Sequence, residues 1–135
     1  MRHPTRFLVG IAVCLAAVGH AAGQQRSTFD PTGTWEGRCV SGEKSQGTLH
    51  VEFRREGRAW RAKGGLQSPG YPPDSSEFEE VAVDGDRVSF IALWGPMVAQ
   101  FKGERKASRL DGTLEGVRNE KVVFRCDWSL TRLAK

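Results

Sequence analysis

Between Val122 and Thr131 the chain alternates without a break. Val122, Phe124, Cys126, Trp128 and Leu130 fall on one side of an extended backbone, and Val123, Arg125, Asp127, Ser129 and Thr131 on the other. A period of two places successive side chains on opposite faces of a strand, and no helix satisfies it. The pattern recurs. Leu49, Val51 and Phe53 alternate with His50 and Glu52, and Val88, Phe90 and Ala92, then Met97, Ala99 and Phe101, then Leu110 and Leu114 each mark one dry face. Turn-forming separators stand between these runs: Arg55-Glu56-Gly57, Asp84-Gly85-Asp86 and Arg118-Asn119-Glu120. The spacing predicts an all-β chain of eight strands, at 34–40, 46–54, 58–65, 77–83, 87–93, 97–104, 109–116 and 121–132. Hairpins in sequence make an antiparallel up-and-down meander. An eight-stranded sheet with one apolar face buries it by curling into a barrel, which also removes its edges. A two-sheet sandwich of the same strands is the alternative.

The N-terminus follows a different rule. Met1 to Arg6 is basic, Phe7 to Val18 is apolar, and Gly19-His20-Ala21-Ala22-Gly23 is rich in small residues. These are the three regions of a secretory signal, and the apolar run is too short to span a bilayer. The expected division is a signal peptide over 1–23, a lead over 24–33 and the barrel domain over 34–135, with cleavage after Gly23 or, alternatively, after Ala21. A periplasmic or secreted location follows. Losing Arg2 and Arg6 reduces 20 basic residues to about 18 against 16 acidic ones, a balance too weak to point to nucleic acid.

Cleavage also removes Cys14, and leaves Cys39 and Cys126. An exported chain with two cysteines favours one disulfide over two free thiols. Cys39 shares a face with Trp35 in the first strand, and Cys126 with Trp128 and Leu130 in the last. If these strands pair antiparallel, Trp35 meets Arg132 and the cysteines fall within one diagonal step. A first-to-last-strand disulfide therefore suits a closed barrel.

Gly33-Thr34-Trp35 opening the first strand, with Arg132 ending the last, resembles the calycin arrangement of lipocalins and avidins. That resemblance implies a barrel floor in which Arg132 covers Trp35 by cation–π contact. The chain is also similar to the secreted β domain that precedes some bacterial serine hydrolases. The shared features are Thr34-Trp35-Glu36-Gly37, Ser68-Pro69-Gly70, Val83 to Phe90, Phe101-Lys102-Gly103, Leu110 to Gly116 and Ser129 to Arg132. The hydrolase is absent, so this resemblance bears on the fold.

The chemistry-bearing residues are sparse. His50 is the one histidine of the mature chain and points outward, so no triad or multi-histidine metal site assembles, and no cofactor is implied. Asp74, Glu77, Glu79 and Glu80 read as solvated strand-edge acids. Arg54, Arg55, Arg58, Arg61 and Lys63, with Lys102, Arg105, Lys106 and Arg109, gather cations at one barrel end. The other end carries the long 64–76 connection and Trp94-Gly95-Pro96-Met97. Tyr71, Trp94 and Met97 would frame a mouth there. The expectation is a non-enzymatic binding module for a small apolar or amphipathic ligand at that mouth. The alternative is a periplasmic protein-interaction module, such as an inhibitor of a secreted hydrolase, with a filled barrel and no ligand.

Overall fold

A computed structural model describes residues 29–68 and 75–134. The signal reading over 1–23 and the position of Tyr71 lie outside the described residues. Nine strands follow in chain order: β1 (Gly33–Ser41), β2 (Lys44–Glu56), β3 (Ala59–Gln67), β4 (Ser76–Glu77), β5 (Glu79–Asp84), β6 (Arg87–Trp94), β7 (Met97–Lys106), β8 (Arg109–Arg118) and β9 (Lys121–Arg132). All pairings are antiparallel, in the order β4-β3-β2-β1-β9-β8-β7-β6-β5. Because β4 runs directly into β5, the two ends of that order are one segment of chain, and the sheet forms a nearly closed up-and-down barrel.

The count of nine corrects the expected eight. The strand anticipated at 77–83 is two pieces, with Phe78 between them. Phe78 turns its ring into the core, at 5% exposure, and donates its backbone N–H to Ala62 O at 2.9 Å. The register then shifts between Glu79 and Ala82, and Glu80 takes φ 51°. This bulge moves the chain from β3, which β4 pairs, to β6, which β5 pairs.

At the opposite seam β1 and β9 run in register, from Trp35 facing Arg132 to Val40 facing Asp127. Cys39 faces Trp128, and its disulfide partner Cys126 is the diagonal neighbour, with the two Cα atoms 5.5 Å apart. The bond spans a sequence separation of 87, so chain entropy alone assigns it on the order of 4–5 kcal/mol.

Inward-facing side chains fill the interior. Phe90 and Phe101 stack at 4.6 Å, Phe78 lies 4.6 Å from Phe90 and 5.5 Å from Phe101, and Phe53 meets Phe90 edge-on at 5.8 Å. Leu49, Val51, Val88, Leu110, Leu114 and Leu130 pack around them, and no polar or charged residue is buried among the described residues. Trp128 needs more room than a strand normally leaves. Its ring occupies the space that a Cβ at Gly103 would take, so only glycine fits there. Its Nε1 is buried without a hydrogen-bond partner in the described structure.

Candidate functional site: two barrel ends and an outer face

Trp94 and Met97 close the β6–β7 hairpin as a directly facing pair. Both are part-buried. The Trp94 ring meets Phe101 edge-on at 5.9 Å. Met97 Sδ occupies the space a side chain at Gly116 would need, and Phe124 Cβ borders the same space. Both residues therefore lean onto the aromatic core from above. Tyr71, the third expected member of this set, is outside the described residues. Neither Trp94 nor Met97 lines the open hollows described below.

The other end is built from the lead and the last strand. The Arg132 guanidinium lies 4.7 Å over the Trp35 ring, and its Nη2 donates to Asp30 O at 2.6 Å. Trp35 Nε1 donates to Pro31 O at 2.7 Å, so this buried indole has the partner that Trp128 lacks. Phe29 packs edge-on against Trp35 at 6.2 Å, with Arg105 5.2 Å above Phe29. Residues 29–32 thus seal the floor. A hollow of about 730 Å³ opens beside it, lined by Asp30, Thr34, Glu52, Arg54 and Arg132 among others. The cup expected at the mouth is not matched by this hollow, which is broad, charged and on the floor side.

The cations anticipated as a rim are largely paired. Arg54 reaches Glu77 at 3.0 Å, Lys63 reaches Glu52 at 3.6 Å, Arg105 reaches Asp86 at 2.8 Å and Arg61 reaches Glu56 at 3.8 Å. Such exposed pairs contribute about 0–1 kcal/mol each, and here they leave a surface of mixed sign rather than a basic field. Arg55 stacks 5.2 Å over Trp60. Of the acids, Glu77 is held by Arg54, Asp74 is outside the described residues, and Glu79 and Glu80 are exposed with no ion pair among the described residues.

On the outer face His50 Nδ1 lies 3.6 Å from Glu36. Ser129 Oγ donates to Asp111 at 2.6 Å, and Arg109 lies 3.3 Å from the same carboxylate. The Ser129 hydroxyl first, and then Arg109, hold Asp111 below the ordinary carboxylate range. Asp30 is likewise lowered, by hydrogen bonds from the Thr32 side chain and backbone. No group of histidine, cysteine and acidic side chains able to hold a metal occurs among the described residues. No helix there is long and apolar enough to cross a membrane, which leaves strands unaddressed.

Sequence reasoning missed one feature. Leu93 faces Val98, Val98 faces Val117, and Val117 faces Val122, a row across four neighbouring strands near the mouth. Buried Ala92, Ala99 and Gly116 fix the inner face, so Leu93, Val98 and Val117 point outward. Val122 was expected inside with Phe124. A register shift between Gly116 and Val117 instead brings Val122 opposite Val117, and it is 50% exposed.

Comparison with protein-family models, curated proteins and solved structures finds no match.

Proposed function

We propose that this chain is an exported, non-enzymatic calycin-like barrel that acts through its outer surface on another protein rather than by enclosing a small molecule. The observation that carries this reading is the occupied interior. Four phenylalanine rings, Phe53, Phe78 and Phe101 each in contact with Phe90, take the space in which a cup-shaped barrel holds its ligand. With β4 and β5 serving as two pieces of one segment, the circumference is that of an eight-stranded barrel, which is only wide enough for its own side chains or for one small ligand. The floor supports the calycin assignment, since Arg132 covers Trp35 at the β1–β9 seam. Export rests on the apolar run at 7–18, and the Cys39–Cys126 bond suits an oxidising compartment.

A second reading is supported by one specific observation. Trp94 and Met97 lie side by side at the rim, part-exposed and apolar. On this reading they form a shallow apolar seat for a small amphipathic ligand. Titration with a naphthalene-sulfonate dye distinguishes the two. Non-saturable, weak fluorescence enhancement is expected for the filled barrel. One-to-one saturable binding that Trp94→Ala abolishes, with the folded near-UV spectrum retained, would move the assignment to the rim.

A further inference from the structure

The barrel rim has a step at the β1–β9 seam. β9 pairs with β8 from Lys121, at the hairpin tip, to Thr131. Its pairing with β1 stops at Asp127, which faces Val40, because β1 ends at Ser41 and the chain turns back through Gly42. The β8–β9 hairpin therefore stands taller than the β1–β2 hairpin beside it. Along Lys121–Arg125 a strand lies on one side and none on the other, among the described residues. A tight turn with positive φ at both Asn119 and Glu120 keeps the hairpin paired to its tip. The open stretch is apolar in its middle. Val122 and Val123 are 50% and 56% exposed, and Phe124 is part-buried. Val123 is the extra residue of the Gly116/Val117 shift and bulges out of the ladder. At the tip Arg118 and Lys121 are exposed and make no ion pair among the described residues. Glu120 lies between them, and Arg125 is held by Glu115 at 3.1 Å.

An open strand edge presents backbone N–H and C=O groups at the spacing of another strand, so the occupant that continues it is an extended backbone. We propose that Lys121–Arg125 is a strand-addition site for an extended segment of another protein. The segment is apolar where it passes Val122 and Val123, and acidic where it passes the Arg118/Lys121 tip. It runs antiparallel to β9, in line with β1 and above Ser41, as a strand added to the β6-β7-β8-β9 side of the sheet. Main-chain hydrogen bonds supply the affinity of such an addition, and the side chains beside them its specificity. The same stretch disfavours a second copy of this chain. The antiparallel register that uses all of Lys121–Arg125 sets Val123 on the partner subunit's Val123, so bulge meets bulge and no continuous ladder forms. It also sets Lys121 beside the partner subunit's Arg125, where like charges are unfavourable. A regular foreign strand meets neither obstacle. The inference rests on the outer-surface function proposed above, and gives that function a place and a mode of contact.

Titration of the isotope-labelled, oxidised protein with a synthetic peptide of alternating threonine and valine, ending in glutamates, tests it. Saturable one-to-one binding is expected, with amide exchange slowed within Lys121–Arg125. Methylating the peptide's backbone nitrogens should weaken binding about tenfold or more, because it removes the main-chain donors and leaves the side chains. Val123→Lys, at an exposed position, should weaken it to a similar degree with the near-UV spectrum unchanged. Lysines in place of the peptide's glutamates should also weaken it. Absence of binding would overturn the inference. So would equal binding of the methylated peptide, protection that appears away from Lys121–Arg125, or protection of that stretch by self-association without peptide. These failures leave the outer-surface reading standing. A small molecule held by the barrel or at Trp94, detected by the dye titration, would sink that reading instead.

Discussion

The barrel closes along two seams of very different make. At the β1–β9 seam six residue pairs stand in register, the disulfide crosses one step off that register, and Arg132 covers Trp35 at its lower end. At the other seam β4 offers β3 two pairs, Lys63 with Glu77 and Gly64 with Ser76, before the chain bulges away toward β6. What holds the second seam is burial: Phe78 inserts between the two pieces, and Val81 and Val83 pack against the core. The contrast shows two ways to finish a sheet. One uses backbone pairing and a covalent tie between distant parts of the chain. The other bends a single strand so that it serves both neighbours, anchored by one aromatic ring. The exposed acids and the bulge at Glu79 and Glu80 also blunt the edge this leaves.

Removing the tie should have the largest effect. Cys39→Ser with Cys126→Ser is expected to lower the free energy of unfolding by about 4 kcal/mol, read from urea denaturation. A loss under about 1 kcal/mol would mean that the in-register ladder alone secures the first seam. Phe78→Ala should come next, at about 3 kcal/mol, for loss of a buried ring that cannot be replaced by local collapse. Amide exchange in that variant should quicken first at β4 and β5 and leave β1 and β9 protected; uniform acceleration would show that the seams are not independent. Arg132→Ala should cost about 1 kcal/mol, since it removes a cation–π contact and the hydrogen bond to Asp30 O. The smallest effect is on pH dependence. Asp111 and Asp30 both titrate below the ordinary carboxylate value in the folded protein. The unfolded chain therefore takes up their protons first, and their contribution is full above the unfolded pKa and lost as pH falls through the folded one. Urea midpoints measured from pH 5 down to pH 2 should fall more steeply in the native protein than in the Asp30→Asn, Asp111→Asn double variant. Parallel curves would exclude both aspartates from the acid response.

The difference between the seams also explains what was legible beforehand. The β1–β9 closure could be read because the stretches that pair across it run without a register break, so Trp35, Cys39, Cys126 and Leu130 have only one consistent facing. The second seam breaks phase. Phe78 is at an even position, and Val81 and Val83 are at odd ones, so no regular strand puts all three inside. That conflict was present in the sequence and marks the bulge. The Gly116/Val117 shift left no such trace. Val122 is in phase with Phe124, and only the pairing with β8 turns it outward. The outer stripe was hidden for the same reason, since Leu93, Val98, Val117 and Val122 become neighbours only when four strands are in register. Trp94 and Met97 face each other as the closing pair of the β6–β7 hairpin. Their contacts with Phe101 and beside Gly116 depend on packing that alternation does not encode.

Native mass spectrometry of the protein purified from its exporting host tests most directly whether the barrel is full. The mass of the disulfide-linked mature chain is expected, with nothing else bound. A stoichiometric small molecule retained through purification and released on unfolding would contradict it.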